Sequence, residues 1–305
     1  MVKKLVIILG PTGVGKTDFS IRKALEAGSP VISCDSRQLY REMTVGTAVP
    51  TPEQLAAVRH YFIQDHTVTE VFSAGDYERE ALALIDRLFA EGHETLIMSG
   101  GSMMYIEAVC SGLDDFPDIP LELRAHLWEC LREDGVASLA DQLRQLDPET
   151  WEAIDRTNSQ RVIRALEVCL YTGRPFSSFK THQSRERDFE IEKIGLTRPR
   201  EELYARIDAR VLKMIEDGLE DEARRLIPYE QMPALQTVGY REMFAYFRHS
   251  TSLDEAIRLI QRNTRHYAKR QLTWWRRDPD IRWIEPWCAL RLFFVSLPGR
   301  KRTDK

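Results

Sequence analysis

The sequence predicts an α/β fold: a parallel sheet flanked by helices, with an all-α insertion domain. Strand and helix signals alternate through about residue 100, an apolar strand runs into a glycine-rich loop, and residues 121–171 carry helix signals alone. Such alternation is typical of parallel sheets, whose functional loops lie at the carboxyl ends of the strands. We expect residues 1–115 to form the first part of the core, 116–198 the insertion, and 199–305 the rest of the core with basic C-terminal helices.

The first third of the chain supplies most of the sheet. In order, the pattern predicts a buried strand at 5–9, a helix at 16–27, a strand at 31–33, an amphipathic helix at 74–90 and a strand at 95–98. The loops that follow these strands, at 10–17, 34–40 and 99–105, should therefore meet at one edge of the sheet.

The middle of the chain changes character after a turn-rich segment at 112–120. Residues 121–171 are predicted to form consecutive helices, with breaks at Asp134-Gly135 and Asp147-Pro148. One further strand is expected at 191–196, and helices from 201 to about 277. This pattern indicates a helical domain inserted into the α/β core.

The loop after the first strand matches the pattern G-x-x-x-x-G-K-[ST]. Its glycines let backbone N–H groups turn towards anionic oxygens, Lys16 supplies a mobile charge, and Thr17 offers a hydroxyl to Mg²⁺. The sheet should therefore be P-loop NTPase-like, with a diphosphate- or nucleotide-binding site at Gly10, Pro11, Thr12, Gly13, Val14, Gly15, Lys16 and Thr17. The loop alone does not decide the reaction, because kinases, ATPases and GTPases hold phosphates in the same way.

Composition limits the class of protein. The 305 residues are 43% hydrophobic and 30% charged, which suits a two-domain globular protein. No apolar run approaches the ~20 residues that span a bilayer, and the chain enters a strand without a signal-peptide pattern, so we expect a cytoplasmic protein without membrane contact. The five cysteines form no C-x-x-C pair, which argues against a disulfide framework or a zinc site. A net charge of −4 does not by itself indicate nucleic-acid binding.

Two further loops carry candidate catalytic groups. Asp35 directly follows a strand, where a carboxylate facing a diphosphate could accept a proton from a nucleophile. Alternatively, it caps its own loop or belongs to a magnesium shell. Ser102 follows the strand at 95–98 and could hydrogen-bond the bridging oxygen of a leaving diphosphate. Alternatively, it only shapes a tight strand-to-helix turn.

Two helices carry candidate RNA-binding groups. Gln160, Arg161 and Arg164 lie along one helical side, and such side chains bind bases and phosphates, although a solvated face is the commoner use. Residues 256–277 contain seven lysines and arginines, no acidic residue and several aromatic residues. That composition suits RNA, but it also suits a helix that packs its tryptophans in the core.

Together these motifs resemble the bacterial tRNA dimethylallyltransferases, also called tRNA isopentenyltransferases. The matching segments run in order through nearly the whole chain: 10–17, 35–40, 45–48, 100–105, 160–167, 206–210, 239–242 and 265–274. The resemblance implies transfer of a dimethylallyl group from dimethylallyl diphosphate to N6 of adenosine 37, in tRNAs that read codons beginning with U. Diphosphate leaves, and Mg²⁺ assists.

The resemblance also implies roles for individual residues. Asp35 would be the general base or would orient the adenine amino group, and Ser102 would assist departure of diphosphate. The target base must swing out of its stack to reach them. The insertion would close on the anticodon stem-loop of the tRNA, and the protein is expected to be a monomer. The implied tRNA contacts are Asp35, Ser36, Arg37, Gln38, Ser102, Arg124, Gln160, Arg161, Val162, Ile163 and Arg164.

The chain departs from the family pattern at three places. The family usually has threonine at Ser102, lysine at Val49 and a second histidine at Tyr61. Two rival functions also remain: a small-molecule kinase that would hydrolyse or transfer from ATP, and a non-catalytic RNA-binding protein. A kinase would not need the basic aromatic helix, and a non-catalytic RNA-binding protein would not need Asp35 and Ser102.

Overall fold

The computed structural model describes residues 2–181 and 185–285, which contain a six-stranded parallel sheet. The strand order is β3-β2-β4-β1-β5-β6. The strands are β1 (Lys4–Leu9), β2 (Val31–Ser33), β3 (His60–Tyr61), β4 (Thr95–Gly100), β5 (Glu190–Leu196) and β6 (Ile281–Ile284). The expected parallel sheet is confirmed. The short β3 and β6 were not expected.

The helices among the described residues are α1 (Lys16–Ala27), α2 (Pro52–Ala57), α3 (Ala74–Ala90), α4 (Met103–Ser111), α5 (Leu121–Leu146), α6 (Pro148–Ala153), α7 (Ser159–Thr172), α8 (Arg200–Glu216), α9 (Leu219–Arg225), α10 (Tyr240–Phe247) and α11 (Leu253–Trp275). Side chains cap several of their first turns. Thr51 before α2, Ser73 before α3 and Ser252 before α11 each accept a backbone N–H that has no partner within the helix.

β1 lies at the centre of the core. It pairs in parallel with β4 on one side and β5 on the other. Its side chains alternate between two buried clusters, with Leu5, Ile7 and Leu9 in one and Val6 and Ile8 in the other. A strand covered on both faces reads as a continuous apolar run, and this is why β1 was recognisable from the sequence.

The chain divides into two compact units. Of the described residues, those within 2–110 and 187–285 form the core unit, and those within 111–186 form the insertion unit. The insertion was expected to extend from 116 to 198, but β5 pairs with β1 and thus lies in the core unit. No helix in the described residues is long and apolar enough to cross a membrane.

The insertion unit has its own core, in which α5 and α7 contribute Leu127, Leu139, Val162 and Leu166. α5 is interrupted at Gly135, whose φ of +78° and ψ of 170° are not helical. The expected break at this position is confirmed, because glycine adopts such a conformation without the steric cost of a Cβ atom.

Candidate active site

The loop after β1 turns tightly against the sheet. Gly10 has φ +149°, and a Cβ atom there would lie 2.7 Å from the backbone oxygen of Leu196 at the end of β5. Only glycine fits both the conformation and the approach. Gly15 is left-handed, and α1 begins at Lys16. The partly positive N-terminus of a twelve-residue helix therefore faces the loop, as a phosphate site requires.

Lys16 folds back over the loop. Its Nζ donates hydrogen bonds to the backbone oxygens of Gly10 at 2.9 Å and Pro11 at 3.0 Å. Burial lowers the pKa of Lys16 to about 8, while the negative charge of Asp35 acts in the opposite direction. Burial thus disfavours the charged ammonium form, and an anion bound beside it would favour that form.

Three arginines that lie much later in the sequence, between residues 198 and 210, donate hydrogen bonds to this loop. Arg206 Nε donates to the backbone oxygen of Gly13 at 2.9 Å, and Arg198 Nε to that of Val14 at 2.8 Å. Arg210 Nη1 lies 3.3 Å from Thr12 Oγ1, and burial lowers the pKa of its guanidinium. These contacts place cationic groups around the loop, an arrangement that favours binding of a polyanion.

The Asp35 turn follows β2. Asp35 Oδ1 accepts the backbone N–H of Arg37 at 2.9 Å and that of Gln38 at 3.4 Å. Its Oδ2 has no hydrogen-bond partner in the described part of the chain. One carboxylate oxygen therefore fixes the turn while the other is available to a substrate, so the capping role and the proton-accepting role are compatible.

Ser102 supports this turn. Its Oγ accepts the backbone N–H of Ser36 at 2.8 Å and donates to Ser36 Oγ at 2.9 Å. The residue is buried and directly precedes α4. A role in the departure of diphosphate stays a prediction, and it would require the hydroxyl to leave Ser36.

Two cavities meet at Asp35. The first, about 620 Å³, is lined by the loop from Thr12 to Thr17, by Gln38, and by His60, Arg206, Arg210 and Lys213. The second, about 300 Å³, is lined by apolar side chains and by arginines, among them Ile207, Val211, Met214, Val238 and Ile260 together with Arg37, Arg241 and Arg270. Both cavities are bounded by Thr12, Asp35, Thr47, Arg210 and Tyr267. Asp35, with its free oxygen, is thus shared by the cavity that the phosphate-binding loop lines and by a second cavity whose lining is both apolar and cationic.

One wall of the second cavity is held by Glu222. Its buried carboxylate accepts the backbone N–H groups of Thr44, Val45 and Gly46 at 2.8–2.9 Å and the hydroxyl of Tyr240 at 2.7 Å. A Cβ atom on Gly46 would lie 2.6 Å from the Tyr240 ring. The segment therefore has a fixed shape where it borders the cavity.

The residues present fit a magnesium ion held mainly by a ligand. No group of three or more His, Cys, Asp or Glu side chains in the described residues could hold a metal. Thr17 Oγ1 makes no hydrogen bond within the described residues. Since Mg²⁺ commonly keeps waters and takes one or two protein oxygens beside substrate phosphates, a single hydroxyl suffices on the protein side.

The predicted tRNA-binding residues of the insertion unit differ in exposure. Gln160 and Arg161 are exposed on α7, whereas Val162 and Ile163 are buried, so their side chains pack within the unit. Arg124 makes a bidentate pair with the buried Glu167, with both N–O distances 2.8 Å. Arg164 is half-buried and also contacts Glu167. Of these side chains, Gln160 and Arg161 are the freest to contact RNA.

One side of the basic helix α11 packs into the core unit. Ala268, Gln271 and Trp275 are buried, and Arg265 pairs with Asp208 of α8. This favours the packing alternative for that part of the helix, while Lys269 and Trp274 stay exposed. Tyr267 and Gln271 reach the first cavity, and burial raises the pKa of Tyr267 to about 12.

Several residues of the site carried no role in the sequence-based prediction. Arg206, Arg210, Tyr267 and Gln271 lie in segments that matched the family, but nothing in their local pattern points to the loop. The one sequence signal for a role of these residues was that their segments match the family pattern.

Comparison with known proteins shows the family to which the chain belongs. A model of the IPP transferase family matches residues 38–278. The chain is 54% identical over 282 residues to tRNA dimethylallyltransferase 2 of Porphyromonas gingivalis, covering 92% of this chain and 94% of that protein. The crystal structure of a tRNA isopentenylpyrophosphate transferase from Bacillus halodurans is 36% identical, with a TM-score of 0.68 and 96% of both chains covered.

A eukaryotic dimethylallyltransferase crystallised acting on tRNA has the same fold. It has a TM-score of 0.78 at 23% identity, with 98% of this chain and 81% of that chain covered. The chain belongs to the IPP transferase family, as its motifs indicated.

Proposed function

We propose that this member of the IPP transferase family transfers a dimethylallyl group from dimethylallyl diphosphate to N6 of adenosine 37. Its tRNA substrates would be those that read codons beginning with U, and the products N6-(dimethylallyl)adenosine and diphosphate. The observation that carries this proposal is the free Oδ2 of Asp35, on a residue shared by the first cavity, which the phosphate-binding loop lines, and the adjoining second cavity.

The first cavity, which the phosphate-binding loop lines, suits the diphosphate. Lys16, Arg206 and Arg210 would neutralise its charge, and the N–H groups of the loop and of the first turn of α1 would bind its oxygens. If Mg²⁺ binds, Thr17 would hold it, and the ion would stabilise negative charge on the leaving diphosphate. Once the donor diphosphate occupies the first cavity, water and RNA would compete poorly for that site.

Asp35 would act at the bond-forming step. As the adenine nitrogen bonds to C1 of the dimethylallyl group, the bond from C1 to the diphosphate oxygen breaks, and N6 loses a proton. Asp35 Oδ2 would take that proton, since Oδ1 is the oxygen that accepts the backbone N–H of Arg37. Because an amino group inside a stacked anticodon loop is out of reach, the target base would have to be flipped into the site.

The tRNA would be bound by both units. Ser36, Arg37 and Gln38 flank the base acceptor in the core unit, and Gln160, Arg161 and Arg164 offer polar groups in the insertion unit. Arginine and glutamine bind phosphates and base edges. We further propose that the protein acts as a monomer in the cytoplasm.

Nucleoside analysis by mass spectrometry tests the function. The protein is incubated with unmodified tRNA and dimethylallyl diphosphate, and the tRNA is digested and analysed. Prenylated adenosine is the expected product. Consumption of ATP without prenylation would indicate a kinase, and tRNA binding without any product would indicate a non-catalytic RNA-binding protein. A tRNA with guanosine at position 37 is the matched substrate control.

A further inference from the structure

The three loops at the edge of the sheet are joined by side chains and not only by the sheet. The phosphate-binding loop follows β1, the Asp35 turn follows β2, and Gly101-Ser102 follows β4. The reaction proposed above needs the first two at a defined separation, because the leaving diphosphate is held by one and the proton acceptor by the other. Loops are the more mobile parts of a fold, so this separation needs its own support.

Gln271 provides the first part of that support. Its Oε1 accepts the backbone N–H of Thr12 at 2.9 Å, and its Nε2 donates to the backbone oxygen of Gly101 at 2.8 Å. The side chain is 1% exposed, although it lies at the floor of the first cavity. Both ends of one amide are thus used, in one orientation, to join the phosphate-binding loop to the loop after β4.

Ser102 provides the second part. It is the next residue after Gly101, and its hydroxyl bonds to both the backbone N–H and the side chain of Ser36. Ser36 is adjacent to Asp35. A continuous path therefore runs from Thr12 through Gln271 to Gly101 and Ser102, and from there to the Asp35 turn.

We propose that Gln271 is a positioning residue that sets the separation between the phosphate-binding loop and the Asp35 turn. It touches neither reacting group in the described structure and acts through the loops on which they lie. Its chemistry is specific, because only a side-chain amide of this length offers an acceptor to Thr12 and a donor to Gly101 at once. A carboxylate lacks the donor, and a thioether lacks the donor and is only a weak acceptor.

The test compares Gln271→Met with Gln261→Met. Methionine keeps the length and most of the volume of glutamine, so packing is preserved while both hydrogen bonds are lost. Gln261 lies on the same helix and donates to the backbone oxygen of Asp208 at 3.2 Å, and its side chain hydrogen-bonds none of the three loops in the described residues. It therefore reports the general cost of losing one glutamine hydrogen bond from α11.

Three quantities are measured for each variant: the single-turnover rate of prenyl transfer at saturating tRNA and donor, the dissociation constant for inorganic diphosphate, and the melting temperature. For Gln271→Met we expect the rate to fall about 10- to 100-fold, since a misplacement of about 1 Å has effects of that order. The dissociation constant should rise about three- to tenfold, as expected for loss of one or two hydrogen bonds. Gln261→Met should stay within about twofold of wild type in rate and affinity.

Several results would overturn the proposal. A Gln271→Met rate within about twofold of Gln261→Met would do so, as would weaker diphosphate binding with an unchanged rate at saturation. If Gln271→Met does not fold, Gln271→Glu replaces it, because it keeps the acceptor for Thr12 and loses only the donor to Gly101. An unchanged rate in that variant would equally refute the positioning role.

The rate measurement rests on the proposed function, but the diphosphate measurement does not. If the wild-type protein transferred no prenyl group, the proposed function would fail. Diphosphate affinity would then decide alone: weaker binding in Gln271→Met than in Gln261→Met supports the link to the loop, and equal binding overturns it.

Discussion

Donor binding should weaken as pH rises from 7 to 9, because of Lys16. Burial lowers the pKa of its ammonium group to about 8. Within the described residues the group makes two hydrogen bonds, both to backbone oxygens of its own loop. A bound diphosphate would favour the charged form and raise the pKa again, so the donor selects the protonated protein.

The magnitude follows from that value. With a pKa of about 8, roughly nine-tenths of the free protein carries the charge at pH 7 and roughly one-tenth at pH 9. The dissociation constant should therefore rise about tenfold over this interval, equivalent to ~1.4 kcal/mol. The effect on folding stability has the opposite sign. The folded protein loses the proton near pH 8, whereas the unfolded chain keeps it up to the ordinary pKa of 10.5. Because the unfolded chain binds more protons in this interval, stability rises with pH between about 8 and 10.5.

Calorimetric titration of dimethylallyl diphosphate at pH 7, 8 and 9 measures the effect. Lys16→Ala is the reference for ionisation of the donor itself, and we expect it to bind more weakly by ~1.5–3 kcal/mol, to give a flat profile and to abolish transfer. Lys16→Arg stays charged over the range and should also be flat. A wild-type profile parallel to that of Lys16→Ala would refute the assignment of Lys16 to the diphosphate.

Asp35→Asn should lower the single-turnover rate by at least ~10²-fold with little change in tRNA or donor affinity; loss of donor affinity alone would instead move Asp35 to the magnesium shell. Arg161→Ala should weaken tRNA binding and lower the slope of log affinity against log salt by about one, measured by filter binding, and an unchanged slope would argue against a phosphate contact. Arg124→Ala should lower the melting temperature, because the buried Glu167 loses a bidentate partner, and an unaltered melting curve would contradict that expectation. Gly46→Ala places a Cβ atom 2.6 Å from the Tyr240 ring and should both destabilise the protein and slow transfer; wild-type values in both assays would show that this wall yields easily.

Much of the site could be predicted because its signals are local. The phosphate-binding loop, the strand before it and the break at Gly135 depend on glycine placement and apolar runs, which a short window of sequence contains. Asp35 and Ser102 were recognisable because parallel strands bring their carboxyl ends to one edge.

The remaining contacts are invisible in any short window. Gln271 lies 259 residues from Thr12, and a buried glutamine on a helix has no pattern that distinguishes it from an exposed one. The arginines of α8 likewise read as an ordinary charged helix face. β3 contains two residues and β6 four, too few for a period to be detected. The arrangement of Arg124 against Glu167 depends on packing within the insertion unit, which motif matching does not address.

The chain order of the sheet has a consequence for synthesis. β5 covers one edge of β1, yet residues 111–186 must be made between β4 and β5. At ~5–20 residues per second the ribosome needs about 4–15 s for that interval, during which the apolar β1 has one open edge. The inserted residues have a core of their own and can fold before β5 is made and pairs with β1. A nascent chain released before Glu190 would therefore present an unpaired strand edge, which makes it a candidate for aggregation or chaperone binding.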